Sequence, residues 1–123
     1  MSPKRPVRRD PEALLPLKHS TYQVLLALAG GAKHGYGIMQ ELAEMTGGRE
    51  KILPGTLYAS LARMVEEELV EELDPPARDA SQGPPRRYYR RTEFGRQVAA
   101  AESERLRALL RVAEAQRLVP RRS

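Results

Sequence analysis

The feature that most constrains this chain is its punctuation. Gly30-Gly31 and Gly47-Gly48 each follow a stretch with helical apolar spacing, and Pro54 opens another. A glycine closes a helix because it adopts the left-handed conformation there without a Cβ penalty. A proline suits the first helical position, where its missing N–H would have no partner. Between these marks lie three short helices. The first covers residues 20–31, with Ser20 or Thr21 as cap and Val24, Leu25 and Leu28 on one face. The second covers residues 36–45, with Ile38, Leu42 and Met45 at i, i+4, i+7. The third runs from Pro54 to about Leu69. Leu57, Leu61, Met64, Val65 and Leu69 form its apolar stripe, and Thr56, Ala59, Ser60, Arg63 and Glu67 its opposite face.

Beyond Leu69 the helical period gives way. Residues 70–73 and the run RRYYRR at 86–91 read as two short strands around a Pro- and Gly-rich loop at 74–85, a long-loop hairpin. Thr92 then caps a last helix, with Glu93 well placed in its first turn. Phe94, Val98, Leu106, Leu109, Leu110 and Ala113 give this helix an apolar stripe. About 25 residues of helix span roughly 38 Å. So small a domain cannot cover that length, and the stripe is expected to pack on a second copy of the chain. Residues 1–16 hold four prolines and four basic residues, and are expected to stay disordered. The expected organisation is a basic arm over 1–16, a winged helix-turn-helix over 17–91, a dimerisation helix over 92–118 and a tail over 119–123. The fold class is mainly α with a small β-hairpin.

Composition narrows the function. The 123 residues contain no Cys and only His19 and His34, which excludes thiolate chemistry and leaves almost nothing for a metal or a His-based catalytic site. No nucleophile–base pair, paired-carboxylate pocket or phosphate loop can be assembled, so no enzyme and no cofactor is expected. The charge-free stretch between Lys18 and Lys33 is too short to span a membrane, and no signal peptide is evident. A soluble cytoplasmic protein is expected. The net charge of +5 points weakly to nucleic acid. Its distribution says more: residues 1–18, 19–73, 74–91 and 92–123 carry +3, −4, +3 and +3.

Three runs resemble the PadR family of transcriptional regulators: HGYGIMQEL at 34–42, PGTLYASLARMVE at 54–66 and RRYYRRTEFG at 86–95. Their order and spacing agree with that family over about residues 17–110, and the short tail resembles its single-helix branch. The resemblance implies a dimeric winged-helix repressor. The PGTLY block would open the recognition helix, the HGYG block the supporting helix, and RRYY would be the return strand of the wing. The chain departs from the family pattern at Leu53, where a small polar cap is usual, at Pro84, at Arg91, and at Glu68, where glycine is usual. Either the third helix runs on past Glu68 or that residue is strained.

The candidate DNA contacts rest on the chemistry at these places. The third helix offers a positive dipole end at Pro54 and free N–H groups at Gly55 and Thr56, followed by Tyr58 and Ala59. Arg63 is the candidate for a bidentate contact to guanine, unless it pairs with Glu66 or Glu67. In the wing, Arg86, Arg87, Tyr88 and Arg90 are candidates for phosphate or minor-groove contact; the alternative is a charged edge strand that resists aggregation. Tyr89 is expected to pack on the helices. Tyr36 offers a hydroxyl to a phosphate or a ring to the core, and Lys18, His34 and Lys51 are further backbone contacts. Glu66, Glu67, Glu68, Glu71 and Glu72 crowd the far end of the third helix and would repel phosphate, so that end should face away from DNA. The partners expected are double-stranded DNA and a second copy of the chain. With no Trp, a stacked aromatic ligand site on the last helix is not expected. The effector class left is an unidentified small apolar molecule lodged between helices. The competing function is a winged-helix module that docks proteins without reading DNA.

Overall fold

A computed structural model describes residues 9–77 and 86–120. Within them lie helices α1 (His19–Ala27), α2 (Gly35–Met45), α3 (Pro54–Glu66) and α4 (Glu93–Ala115) and strands β1 (Lys33–His34), β2 (Val70–Leu73) and β3 (Tyr88–Arg91). The strands form one antiparallel sheet in the order β1-β3-β2. The expected hairpin is therefore the larger part of a three-stranded sheet. Lys33 and His34 pair with Tyr89 and Tyr88. Two residues are too few to show a period, which is why β1 is silent in the sequence.

The apolar stripes meet as their spacing predicts. Val24, Leu25 and Leu28 of the α1 segment, Ile38 and Leu42 of α2, and Leu57, Leu61 and Met64 of α3 are buried together with Leu69, Val70, Tyr89 and Val98. Met45, assigned to the apolar face of α2, is half exposed instead. The turn after α2 runs through Gly47 and Gly48, both at positive φ, and closes with a 2.7 Å bond from Gly48 N–H to the Ala43 carbonyl.

The start of α1 departs from expectation for a packing reason. Lys18, not Ser20 or Thr21, is the cap residue, and it makes no side-chain cap bond. Thr21 is buried, and Ser20 Oγ hydrogen-bonds Ser60 Oγ at 2.7 Å. That bond also draws Ser60 out of the solvent-facing set and into the α1–α3 contact, where it is buried.

The end of α3 sets the direction of everything after it. The helix stops at Glu66, Glu67 is its C-cap, and Glu68 adopts φ 63°. The alternative of a helix running on to Leu69 is thus corrected: Glu68 takes the left-handed turn that glycine would take at less strain. Leu69 then donates to the Met64 carbonyl at 2.9 Å, and its own carbonyl accepts from Thr92 N at 3.1 Å. Thr92 caps α4 as expected, its Oγ1 accepting from Gly95 N at 2.9 Å. A Cβ on Gly95 would lie 2.1 Å from the Leu69 carbonyl oxygen, so only glycine lets α4 leave the sheet this close to the end of α3.

The N-terminal segment is ordered where it is described. Pro11–Leu14 form a 3-10 turn capped by Asp10 and packed on α4, and Leu14, Leu15 and Leu17 lie against the core. The expectation of disorder over residues 1–16 is corrected for 9–16, because these leucines find apolar cover on α4; residues 1–8 lie outside the described residues. So do 78–85 of the expected loop and 121–123 of the tail.

Along α4 the burial divides. Gly95, Val98, Ala99 and Glu102 are buried within the chain. Val98 is 0% exposed and is corrected from an interface residue to an intrachain contact, while Phe94 is half-buried against the core. Leu106, Leu109, Leu110 and Val112 are exposed, and Ala113 is half-buried. Among the described residues no helix is long and apolar enough to cross a membrane, and no cluster of acidic or histidine side chains could hold a metal.

Glu102 is 3% exposed and carries a charge in the seam between α4 and the N-terminal segment. It accepts from Arg105 Nε and Nη2 at 2.9 and 2.8 Å and from Leu17 N at 3.4 Å. Arg105 above all holds its carboxyl below the usual carboxylate range, against the opposing effect of burial. A carboxylate with a depressed folded pKa contributes fully above its unfolded pKa of about 4.3, and the contribution is lost as pH falls through the folded value. Glu102→Gln is therefore expected to destabilise the fold by about 1–2 kcal/mol at neutral pH, and to flatten the acid limb of the melting-temperature profile below about pH 4. Gly95→Ala gains helix propensity but places its Cβ against the Leu69 carbonyl. A net loss of about 2 kcal/mol is expected in thermal melts.

Candidate nucleic-acid interface

Three pieces of the fold converge at the N-terminal end of α3. Leu53 is extended, as the residue before a proline must be, and makes no side-chain cap bond. The first helical bond is from Leu57 N–H to the Leu53 carbonyl at 2.8 Å, which leaves the N–H groups of Gly55 and Thr56 without helical partners. Pro54, Gly55, Thr56, Tyr58, Ala59 and Arg63 are all exposed. Among the described residues, Arg63 makes no ion pair with Glu66 or Glu67. The helix thus presents an open, positively polarised end with Thr56 and Ala59 exposed beside it, and Arg63 exposed in the last turn of the same helix.

The supporting helix α2 is held against this end by the absence of a side chain. A Cβ on Gly35 would fall 2.1 Å from the Tyr58 hydroxyl, so the Tyr58 ring rests on the backbone where α2 begins. His34 caps α2 by accepting from Gly37 N at 3.1 Å through Nδ1. Its other nitrogen, Nε2, lies 3.0 Å from Arg86 Nη1. A neutral imidazole accepts at one nitrogen only, so with Nδ1 accepting the cap bond the proton sits on Nε2 and meets the Arg86 guanidinium donor to donor, which leaves Arg86 unanchored by this contact. Tyr36 is 58% exposed rather than in the core, and Gln40 Nε2 donates to its hydroxyl at 3.4 Å.

The wing completes the site. His34, Gly35, Tyr36, Tyr58, Arg86, Arg87 and Tyr89 line a surface cleft of about 470 Å³ between β3, α2 and α3. Tyr88 is corrected as a DNA contact: it is buried, with its ring edge-on to His34 at 5.2 Å. Alternation predicts one inward and one outward tyrosine, but β3 is the central strand: β1 pairs along the edge that a hairpin would have left open and sets His34 beside Tyr88. Tyr89 packs on the core as expected, and burial, followed by the Glu72 charge, raises its phenol pKa.

The wing arginines are shared with the fold. Arg87 pairs with Glu72, and Arg90 with Glu71 through bonds of 3.0 and 2.7 Å. Arg91 donates to the Leu25 carbonyl at 3.2 Å. The glutamates of β2 are therefore not a bare acidic face; the sheet register sets Glu71 opposite Arg90. Arg9 neutralises the other part of that end. Its Nη1 donates to the Glu67 carbonyl at 2.9 Å and to Glu68 Oε1 at 3.1 Å, and its guanidinium lies 4.5 Å over the Phe94 ring. A cation at a helix C-terminus is favourably placed, and this one belongs to the end of α3 remote from the open N–H groups.

Lys18 and Lys51 are exposed and flank a contact that has no counterpart among the sequence expectations. His19 Nε2 lies 2.8 Å from Glu50 Oε1, and Gln23 Nε2 donates to the same oxygen at 2.7 Å. The His19 bond, then the Gln23 bond, lowers the Glu50 pKa. This contact ties the start of α1 to the loop before α3 and brings the two lysines to one edge of the domain. Neither His19 nor Glu50 stands in a periodic pattern that would have revealed it.

Helices α1 to α3 with a basic three-stranded wing define a winged helix-turn-helix protein. The family model described as the PadR-like family of transcriptional regulators matches residues 24–101, and this chain belongs to that family, one of transcription regulators rather than enzymes. A PadR-like transcription factor from Bacteroides fragilis has a similar structure, with 26% identity, a TM-score of 0.64, and coverage of 77% of this chain and 86% of its own. A PadR family regulator from Clostridium difficile R20291 superposes with a TM-score of 0.65 at 24% identity, covering 83% and 100%. Bacillus subtilis PadR, solved in complex with operator DNA, shares the fold at 20% identity and a TM-score of 0.60, covering 70% and 47%. No curated protein matches the chain.

Gly35→Ala tests the seating of Tyr58. Because the obstructing atom is the tip of a side chain, the ring is expected to swing outward at a loss of about 1 kcal/mol. Ring-proton NMR shifts of Tyr58 should move while the methyl shifts of Leu25 and Leu61 stay in place.

Proposed function

We propose that the chain is a transcriptional repressor that binds palindromic promoter DNA as a homodimer, with α3 in the major groove and the wing on the flanking backbone. The observation that carries this reading is the open N-terminal end of α3, with the Arg86–Arg87 cleft directly beside it. Helix N-termini bind anionic groups, and the exposed residues behind this one can reach base edges. Dimerisation is supported by Leu106, Leu109, Leu110 and Val112, a run of exposed apolar side chains on a helix that continues past its own core. Two copies related by a two-fold axis would present half-sites about one helical turn, roughly 34 Å, apart. Repression follows where such a site overlaps a promoter. Bacillus subtilis PadR, bound to operator DNA in its structure, lends the reading a precedent in the same fold.

A second reading, a winged-helix module that docks proteins and leaves DNA unread, draws on Arg87 and Arg90, which already have carboxylate partners. Electrophoretic mobility shift across promoter fragments separates the two. The DNA-binding reading expects one retarded complex, whose affinity falls steeply with salt. The double variant Arg86→Ala/Arg87→Ala should weaken it and reduce the salt slope by about 1 for each phosphate contact removed. Equal affinity for random DNA would sink sequence-specific binding. Leu106→Glu/Leu110→Glu should halve the mass seen by analytical ultracentrifugation.

A further inference from the structure

Two groups of large exposed apolar side chains stand out. One is the α4 run; the other is Tyr36, Met45, Leu53 and Tyr58 of the helix-turn-helix unit. Leu53 is the most exposed of that second group, at 71%. It also sits where a leucine serves the fold least. As the N-cap of α3 it leaves the helix without the side-chain acceptor that Ser, Thr, Asp or Asn would supply. Its side chain neither caps the helix nor enters the core, which takes Leu57 and Leu61 from the same helix. One turn of α3 places it beside the open N–H groups of Gly55 and Thr56, the end offered to DNA in the function proposed above.

We infer that Leu53 is a specificity-determining residue: it packs against the C5-methyl group of a thymine in each half-site as the end of α3 enters the major groove. An isobutyl group has no hydrogen-bonding capacity, so the only feature of a base edge it can select in that groove is the thymine methyl. The neighbouring residues fit the same position. Pro54 and Gly55 add little bulk beside the exposed leucine, and the exposed Thr56 can hold the adjacent phosphate. Loss of the cap bond is then offset by base discrimination when DNA is bound. The inference rests on the DNA-binding reading.

The test uses the full chain and a site selected from random duplex DNA. Each thymine of the site is replaced in turn by deoxyuridine, which removes only the methyl group. The wild-type chain is expected to lose about three- to fivefold in affinity at one thymine per half-site, the factor for leaving one methyl group unburied. Leu53→Ser should raise the melting temperature by restoring a cap, bind the thymine site several-fold more weakly, and show no difference between thymine and deoxyuridine at that position. Leu53→Ala should show the same loss of discrimination without the gain in melting temperature, which separates base contact from helix stability. Leu53→Met should keep the discrimination. If the wild-type chain binds its site and no deoxyuridine substitution matters, or if Leu53→Ser retains full discrimination, the assignment of Leu53 is overturned while DNA binding stands. Selection that enriches no sequence overturns both.

Discussion

The carbonyl of Leu69 is where the chain changes direction, and most of the structure depends on what gathers around it. It accepts from the Thr92 backbone and lies within 3.2 Å of Thr92 Oγ1. The bare Cα of Gly95 lets α4 pass directly against it. Glu68, one residue earlier, takes the left-handed turn, and its carbonyl accepts from Thr92 Oγ1 at 2.6 Å. One turn thus joins the end of α3, the first rung of the β2–β3 ladder and the start of α4. Arg9 reinforces it by bonding Glu67 and Glu68 and covering Phe94. Displacing α4 at this point would move its exposed apolar run relative to α3.

At the opposite end of α3 the governing constraint is polarity. The helix begins with no cap, a proline and a glycine, so its first N–H groups stay open. Around them the fold assembles hydroxyls and cations: Thr56, Tyr58 and Tyr36 from the helices, Arg86 and Arg87 from the wing. The carboxylates that would oppose a polyanion are paired, Glu71 with Arg90, Glu72 with Arg87 and Glu68 with Arg9. The same pairing restrains the arginines. Arg86 and Arg63 are less constrained than Arg87 and Arg90, and the net charge of +5 conceals that difference.

Much of the fold was legible in the sequence where a pattern ran long enough to repeat. The Leu57–Leu61–Met64 stripe, the glycine pair after α2, strand β2 and the Thr92 cap could each be read because local chemistry alone specifies them. The site was legible in outline through the three motif runs, and less so in detail. Tyr88 went inside because a two-residue strand sets the His34 ring against it. Ser60 went inside because Ser20 meets it across forty residues of chain. Val98 was taken by the core before any partner could reach it. None of these contacts has a local signature.

The sequence by itself determined the four helices, strands β2 and β3, their order and the type of chemistry at each: which stretches are helical, and where arginine, tyrosine and glutamate cluster. Only the tertiary structure decided the pairings. A charged side chain on a strand can face a phosphate or a carboxylate with equal local propensity. The choice rests on register, which sets Arg90 opposite Glu71, and on the turn at Glu68, which brings Arg9 over Phe94. Contacts of this kind join residues far apart in the chain, and their energies depend on distance in space, which periodicity along the chain does not contain.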